Sequence, residues 1–352
     1  MPHTPEPGAA ELNGRLVGSS YVLICPVGRG ATGTVWRGLE SATGDPVAVK
    51  LMHEGLLGQP GMVTRFVQER SILKRVRHEH VVGVRDLFSV GESLGLAMEY
   101  AGGGSLRDKL HRDGPLPPAE AARLLAQAAA ALRVAHELGV VHRDIKPDNI
   151  LLSARGDVRL SDFGIARVLD QPGVTSGHIV VGTPHYMAPE AISGGEADPA
   201  ADVYAVGVVL FELVTGRTPF TGERFAVLQG HLDHRPRRPV GLDDELWAVI
   251  ARCLEKQPRR RPDAQALHHS LLRLAARLEG VPALPAPMAP PLRATPPPVP
   301  RQKPRRPPNR ARDWAWGRKP LALLILMALS AAALPAAVGP VRVDRAQVRQ
   351  AA

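Results

Sequence analysis

The sequence predicts an α+β fold with two lobes: a small, strand-rich first lobe that contains one helix, and a larger second lobe built from helices. Two observations lead to this prediction. Short apolar runs with the alternation of β-strands occupy the first third of the chain, and longer segments with helical spacing of apolar residues follow as far as residue 278. Strands that precede helices, instead of alternating with them, are typical of α+β folds.

The first lobe contains four predicted strands and one predicted helix. The strands are Tyr21–Ile24, Thr34–Trp36, Pro46–Lys50 and Leu94–Met98. Between the third and fourth strands, apolar residues recur at helical spacing, which predicts a helix from about Met62 to Arg77. Three consecutive glycines, Gly102–Gly104, predict a loop before the helical part of the chain.

The second lobe contains four predicted helices. They are Ala119–Gly139, Asp202–Thr215, Leu242–Leu254 and Ala264–Leu278. Gly139 and Gly216 stand where the first two helices end. Glycine is a favourable residue at such a position because it adopts the left-handed backbone conformation without strain.

The charge distribution separates a neutral folded part from a basic C-terminal part. The chain contains 44 Lys and Arg and 34 Asp and Glu residues, and 32 of each type lie in residues 1–280, so residues 281–352 carry the whole excess of +10. Twelve of the 34 prolines lie in the first part of that region, between Val281 and Arg312. Such a composition favours an extended chain over a packed core.

The composition predicts five segments. They are a flexible leader at 1–19, a folded domain at 20–278, a Pro/Arg-rich disordered linker at 279–319, a transmembrane helix at 320–339 and a short extracytoplasmic tail at 340–352. The polar residues 1–18 predict no signal peptide, since they lack an apolar stretch.

The predicted transmembrane helix rests on Leu321–Val338, which contains eighteen residues without a charge. A helix of that length spans about 27 Å, close to the roughly 30 Å of a bilayer's hydrocarbon core. Eight Lys and Arg residues lie between Arg301 and Lys319, whereas three follow the segment. The positive-inside rule then places the folded domain in the cytoplasm of a single-pass cell-membrane protein. A helix that docks on the folded domain is the alternative.

Two other kinds of site are disfavoured. A nucleic-acid site in the basic linker is disfavoured because Trp314 and Trp316 are its only aromatic residues, and tryptophan also suits a membrane interface. A zinc site or a disulfide is not expected, because Cys25 and Cys253 are far apart and neither belongs to a CxxC motif.

A glycine-rich motif, GRGATG, occupies residues 28–33. Glycines allow backbone amides to approach phosphates closely, but dinucleotide-binding folds use the same spacing, so the motif alone does not identify the ligand. Val35 follows two positions later, and the strand VAVK follows at residues 47–50. These neighbours favour a loop that covers the phosphates of a nucleoside triphosphate.

The sequence HRDIKPDN at residues 142–149 combines an acid, a lysine and an amide in one short loop. Asp144, Lys146 and Asn149 can orient a hydroxyl, neutralise a phosphate and hold a metal ion. Asp162 begins a DFG sequence and supplies a second hard oxygen ligand. Lys50 ends an apolar strand, where a lysine needs an anionic partner.

The order and spacing of these motifs resemble those of eukaryotic-like serine/threonine protein kinases of bacteria, from about Ser20 to Leu278. The resemblance implies the two-lobed protein-kinase fold, with ATP as the phosphate donor and Mg²⁺, or Mn²⁺ as an alternative, as the metal. It implies that Asp144 receives the acceptor hydroxyl and that Lys146 stabilises the γ-phosphoryl group. It also implies that Asn149 and Asp162 hold the metal ions.

The resemblance further implies that Lys50 contacts the α- and β-phosphates and pairs with a glutamate on the following helix. Glu69 is the expected partner, because it shares a helix face with Phe66 and Leu73. Glu54 is the alternative, although it precedes the predicted helix.

The residues expected to surround ATP come from the glycine loop, the lysine strand, the strand that ends at the hinge, and the strand after the catalytic loop. They are Val27, Gly28, Arg29, Gly30, Ala31, Gly33, Val35, Ala48, Lys50, Met98, Glu99, Ala101 and Leu151. By resemblance, Met98 is the gatekeeper, Glu99 and Ala101 offer backbone hydrogen bonds to adenine, and Leu151 forms the floor beneath it.

An activation segment is expected from Asp162 to Glu190. Autophosphorylation at Thr175 or Ser176 is expected to order this segment through the guanidinium of Arg143. The second position that the family often phosphorylates is Gly177 here, which departs from a two-site pattern.

Three further roles follow from the resemblance alone. Thr183 is expected to hydrogen-bond near Asp144 and Lys146 and to shape the platform for the acceptor protein. Asp202 is expected to anchor the backbone of the catalytic loop. Arg261 is expected to pair with Glu190.

The sequence therefore predicts a serine/threonine protein kinase in membrane-proximal signalling. Lys146 favours serine and threonine acceptors, because tyrosine kinases usually carry an arginine-containing variant of the loop. The expected partners are protein substrates, membrane lipid and a second copy of the chain for trans-autophosphorylation, with no nucleic acid. A non-catalytic scaffold is the alternative, and the presence of Lys50, Asp144, Asn149 and Asp162 disfavours it.

Overall fold

The computed structural model describes residues 13–30, 33–52, 75–90, 93–163, 184–195 and 198–286. The described residues form a strand-rich first lobe and a helical second lobe, so the predicted α+β fold is confirmed.

The first lobe is one antiparallel sheet of six strands. The strands are β1 (Leu16–Val17), β2 (Tyr21–Gly30), β3 (Gly33–Glu40), β4 (Pro46–Met52), β5 (Val84–Val90) and β6 (Ser93–Glu99). Their spatial order is β1-β2-β3-β4-β6-β5, which makes β4 a central strand between β3 and β6. All four predicted strands are present, and β1 and β5 were not predicted.

Strand β4 sends alternate side chains to opposite faces of the sheet, as its period of two requires. Val47 and Val49 are fully buried in a core that also contains Trp36. Ala48, between them, packs instead against a second apolar cluster that includes Met98. The alternation therefore places the side chains of even-numbered β4 residues on the face that the second lobe approaches.

The second lobe contains seven helices and a two-stranded hairpin among the described residues. The helices are α1 (Leu106–Asp113), α2 (Pro118–Glu137), α3 (Pro189–Ile192), α4 (Pro199–Thr215), α5 (Arg224–Asp233), α6 (Asp244–Cys253) and α7 (Ala264–Arg277). The hairpin consists of β7 (Ile150–Leu152) and β8 (Val158–Leu160), and it follows a short 3-10 turn at Pro147–Asn149.

Helix α4 is the central element of this lobe. It is buried continuously from Asp202 to Thr215, which explains why its sequence is apolar all round. Asp198 caps its first turn by accepting a hydrogen bond from the N–H of Ala200, and Gly216 ends it in the left-handed conformation. Helices α2, α6 and α7 pack against it.

The structure differs from the sequence prediction in several elements. The helix expected from Met62 to Arg77 does not reach its predicted end, because residues 75–77 form a turn and irregular chain; residues 53–74 lie outside the described part. Helices α1 and α5 were missed, since both are short and carry many polar residues. Helix α4 begins three residues before the predicted start at Asp202, at Pro199.

The chain beyond α7 stays in contact with the second lobe for several residues. Leu284 packs, partly buried, against the core of that lobe. Residues 287–352, which include the apolar segment Leu321–Val338, lie outside the described residues. Among the described residues, no helix has the length and apolar character needed to cross a bilayer.

Candidate active site

The backbone of the loop at residues 142–149 is held by one buried carboxylate, that of Asp202 in the first turn of α4. Its Oδ2 accepts hydrogen bonds from the backbone N–H of His142 at 2.8 Å and from Nε2 of His136 at 2.8 Å, and its Oδ1 accepts one from the N–H of Arg143 at 2.9 Å. Asp202 is only 1% exposed, so these donors replace the water that a carboxylate requires. The anchoring role expected for Asp202 therefore corresponds to contacts in the structure.

His142 joins this loop to the segment that contains Asp162. The ring is fully buried; its Nδ1 accepts a hydrogen bond from the N–H of Asp144 at 3.3 Å, and its Nε2 lies 2.9 Å from the carbonyl oxygen of Ser161. These partners require a neutral ring with the proton on Nε2. The ring also contacts that of Phe163, with 4.4 Å between centroids. These contacts join the loop and the Asp162 segment into one unit.

Two residues of this unit have left-handed backbone conformations. Arg143 has a φ of 69° and Asp162 has a φ of 61°, although neither is glycine. Such conformations cost about 1 kcal/mol or more and persist where the surroundings enforce them, which happens often at functional sites. The contacts of Asp202 with Arg143, and of His142 with Ser161, supply that enforcement.

The carboxylate of Asp144 is oriented by the two other polar residues of the loop. Its Oδ2 accepts hydrogen bonds from Nζ of Lys146 at 2.7 Å and from Nδ2 of Asn149 at 2.8 Å. Nδ2 of Asn149 also donates to the backbone carbonyl oxygen of Asp144 at 2.8 Å. Both N–H bonds of this amide are therefore used, and Oδ1 of Asn149 is its atom suited to bind a cation.

Lys50 forms an ion pair with Asp162, with 2.8 Å between Nζ and Oδ1. The lysine is only 5% exposed, so this carboxylate provides the anionic partner that its position on β4 requires. Glu69 and Glu54, the partners considered from the sequence, both lie outside the described residues.

The two residues expected to hold metal ions are brought together by the backbone. Ser161 donates from its N–H to the carbonyl oxygen of Asn149 at 3.0 Å, and its hydroxyl donates to the same oxygen at 3.1 Å. Asp162 is the next residue, so its carboxylate and the amide oxygen of Asn149 belong to adjoining segments. Carboxylate and amide oxygens are the ligands that Mg²⁺ prefers, so these residues fit the implied metal.

Apolar side chains from both lobes meet where adenine is expected. Ala48 and Leu151 pack against a buried cluster formed by Val82, Leu96 and Met98. This arrangement places one alanine from β4 and one leucine from β7 on a shared apolar surface, as the roof and floor of an adenine pocket require.

The hinge, which is the segment Glu99–Ala101 after Met98, determines which backbone groups can hydrogen-bond to adenine. The N–H of Glu99 donates to the carbonyl oxygen of Gly83 at 2.9 Å, so Glu99 can offer adenine only its own carbonyl oxygen. Ala101 follows in an irregular segment, where the ladder of β6 has ended.

The glycine motif forms a hairpin between β2 and β3. Gly28 pairs with Val35, Arg29 with Thr34 and Gly30 with Gly33; the tip, which includes Ala31, lies outside the described residues. Val27, on the same strand, is 50% exposed.

Glycine occupies three positions of this hairpin for different structural reasons. A Cβ atom at Gly33 would lie 2.1 Å from the carbonyl oxygen of Leu51, so the sheet itself requires glycine there. Among the described residues, a Cβ atom at Gly28 would have no neighbour nearer than 4.0 Å, and one at Gly30 none within 4 Å. The described packing therefore does not demand glycine at these two positions, and close approach by a ligand is a physical reason for it.

A buried polar network around Tyr186 was not predicted from the sequence. Tyr186 donates its hydroxyl hydrogen to Oε2 of Glu212 at 2.6 Å, and Arg107 donates from NH1 to Oε1 of the same glutamate at 2.6 Å and from NH2 to the Tyr186 hydroxyl. Burial, followed by the charge of Glu212, raises the pKa of Tyr186. The one available signal was Glu212 itself, since a glutamate in an apolar helix needs a partner.

The pairing expected between Glu190 and Arg261 is present as a two-pronged salt bridge. NH1 and NH2 of Arg261 lie 2.6 and 2.8 Å from Oε1 and Oε2 of Glu190. The other three N–H bonds of the guanidinium reach backbone carbonyl oxygens, which fully satisfies a side chain with no exposed surface. This contact fixes α3 to the segment that follows α6.

Of the residues expected to regulate the site, Arg143 is described and its side chain is exposed. Thr175, Ser176 and Thr183 lie outside the described residues.

Comparison with known proteins identifies relatives of this chain. Residues 21–272 match the family model for the protein kinase domain. The chain is 48% identical over 272 residues to the serine/threonine-protein kinase PkaA of Streptomyces coelicolor, a match that covers 73% of this chain and 50% of that relative. It is 41% identical over 273 residues to PknL of Mycobacterium tuberculosis, covering 76% of this chain and 68% of PknL. The chain thus matches only half the length of PkaA.

The glycine hairpin provides a test with a built-in control. We expect Gly30→Ala to leave the free energy of unfolding within about 0.5 kcal/mol of the wild type while weakening ATP binding several-fold, because the new methyl group meets no described residue within 4 Å and would face the ligand. We expect Gly33→Ala to lower the free energy of unfolding by about 2 kcal/mol or more, because its Cβ atom meets a backbone carbonyl. Urea unfolding and ATP titration measure both effects. Unchanged ATP affinity in Gly30→Ala would contradict the assignment.

Proposed function

The chain belongs to the protein kinase family, and we propose that it transfers the γ-phosphate of ATP to serine and threonine hydroxyls of proteins. The observation that carries this proposal is the carboxylate of Asp144, which Lys146 and Asn149 orient in a loop anchored by Asp202. The names of the relatives, which are serine/threonine-protein kinases, support the acceptor class.

In the proposed reaction, Asp144 accepts a hydrogen bond from the acceptor hydroxyl and aims its oxygen at the γ-phosphorus. A bond forms between that oxygen and phosphorus, the bond from phosphorus to the bridging oxygen of ADP breaks, and Asp144 takes the hydroxyl proton late in the reaction. A loose transition state asks mainly for positioning and charge neutralisation, which suits an oriented carboxylate without a strongly basic environment. Lys146, already 2.7 Å from Asp144, neutralises charge on the transferred group.

Lys50, Asn149 and Asp162 form the donor-binding part of the site. Asn149 and Asp162 would hold Mg²⁺ or Mn²⁺, and the metal ion when bound neutralises phosphate charge. The ion pair with Asp162 holds Lys50 beside the expected metal site, where its ammonium can contact the phosphates of ATP. The apolar surface of Ala48, Met98 and Leu151 suits the adenine ring.

We also propose that the chain phosphorylates itself at Thr175 or Ser176, with a second copy as the acting kinase. The exposed guanidinium of Arg143 supports this, since it offers a two-pronged site for phosphate beside the catalytic aspartate. No side-chain hydrogen bond or ion pair occupies Arg143 within the described parts of the chain.

We further propose that the apolar segment Leu321–Val338 anchors the kinase domain at the cytoplasmic face of the cell membrane. Its eighteen uncharged residues and the excess of basic residues on its N-terminal side support this orientation. The proposed role is phosphorylation of proteins in membrane-proximal signalling.

Phosphate transfer depends on Asp144 in this account. We expect Asp144→Asn to lower the rate of phosphate transfer from labelled ATP by about 10³-fold or more, with ATP still bound, because the amide cannot take the acceptor proton. Glu137→Gln is the matched control, since it removes a surface carboxylate that pairs with Arg133. Equal phosphate transfer by both variants would overturn the proposal and favour a scaffold.

Autophosphorylation is tested by mass spectrometry of the wild type after reaction. The spectra should show phosphate on Thr175 or Ser176.

The membrane anchor is tested by fractionation of cells that express the full chain. We expect the wild type to stay in membranes washed with high salt, and a variant without residues 320–339 to be released, because apolar insertion is insensitive to salt whereas a basic linker on anionic lipid is not. Retention of the shortened variant after the wash, or release of the wild type, would contradict an inserted helix.

A further inference from the structure

Among the described histidines outside the catalytic loop, the most deeply buried is His231, near the C-terminal end of α5. Its ring has no exposed surface, and its Nδ1 lies 2.8 Å from the hydroxyl oxygen of Tyr204 in the central helix α4. The ring also stands edge-on to Phe220, with 4.9 Å between centroids. A polar ring held this tightly in an apolar setting needs a function or a compensating contact.

The position of His231 is fixed further by Lys256. Nζ of Lys256 donates hydrogen bonds to the carbonyl oxygens of Gly230 at 3.1 Å and His231 at 2.6 Å, which satisfies the last turn of α5. The same ammonium lies 4.9 Å from the centre of the Phe220 ring. Burial and then this cation lower the pKa of His231 to about 4, so the imidazole is neutral at physiological pH.

The other edge of the His231 ring faces the 3-10 turn Pro184–Tyr186. Helix α5 contacts this turn, and the backbone of His185 lies close enough to raise the pKa of His231 slightly against the larger lowering effects. Nε2 of His231 and Nδ1 of His185 are buried, and neither makes a hydrogen bond of ordinary geometry among the described residues. The ring of His231 therefore lies against the turn that contains His185.

This turn is linked to the catalytic loop, because Arg107 donates to the hydroxyl of Tyr186 and, from its Nε, to Oδ2 of Asp148 at 3.4 Å. We therefore assign the turn to the acceptor side of the site. Tyr186 is tied to Glu212 and Arg107, and Thr183, which precedes the turn, is expected beside Asp144. The residues expected to surround ATP come from other elements, namely β2, β3, β4, β6 with the hinge, and β7.

We propose that His231 is a positioning residue for the acceptor protein: linked to Tyr204, it holds the Pro184–Tyr186 turn where the acceptor segment binds. The proposal rests on the kinase activity proposed above. Neutral imidazole suits this role because it accepts from the Tyr204 hydroxyl with Nδ1 while Nε2–H faces the turn. Tyr186 secures one end of the turn, and His231 supports its middle.

The test is steady-state kinetics of the full chain with a serine-containing acceptor peptide, in which KM for peptide and KM for ATP are measured separately. We expect His231→Ala to raise KM for the peptide about five-fold or more and to leave KM for ATP within about two-fold. His231→Gln, whose amide can both donate and accept, should recover most of the peptide affinity. Tyr204→Phe should raise KM for the peptide too, with a less than additive effect in the double variant.

A structural control separates positioning from general loss of stability. Leu271→Ala opens a cavity in α7, which is fully buried at that residue, and should lower the unfolding temperature without changing KM for the peptide. Equal changes in the two KM values for His231→Ala, or an effect matched by Leu271→Ala, would overturn the inference. A wild type that transfers no phosphate at all would instead overturn the proposed function and the inference with it.

Discussion

The hydrogen bonds of Asp202 are the constraint on which the rest of the site depends. Two backbone N–H groups of the catalytic loop and one imidazole converge on a carboxylate that has almost no contact with water. Hydrogen bonds to a charged group contribute roughly 1.5–3 kcal/mol each, and their loss would leave buried donors without partners. Arg143 keeps its left-handed backbone because these contacts enforce it, and that backbone presents Asp144 to the site.

Helix α4 carries the residues that hold three other parts of the second lobe in place. Asp202 holds the catalytic loop, Tyr204 holds α5 through His231, and Glu212 holds Tyr186 at the end of the activation segment. All three side chains project from one helix that is buried along nearly its whole length. This buried helix therefore sets the relative positions of the catalytic loop, α5 and the turn that contains Tyr186. Phosphoryl transfer depends more on such positioning than on strong acid–base groups.

The sequence predicted the parts of the site that lie in short motifs. Asp144, Lys146 and Asn149 occupy one loop, and their mutual contacts follow from spacings of two and five residues. It did not predict the contact of Arg107 with Glu212, because those residues are 105 positions apart and only tertiary structure brings them together. The contact of Lys50 with Asp162, across 112 positions, was likewise not anticipated, although both residues had been assigned to ATP and its metal.

Replacement of Asp202 is the measurement that tests this account most directly. Asp202→Ala should lower kcat for phosphate transfer by about 10²-fold or more, because the catalytic loop loses its anchor. Asp198→Ala removes the cap of the same helix and should cost about 1 kcal/mol of stability with kcat nearly unchanged. Circular dichroism should show both variants folded. A folded Asp202→Ala protein with wild-type kcat would contradict the claim that this carboxylate holds the site together.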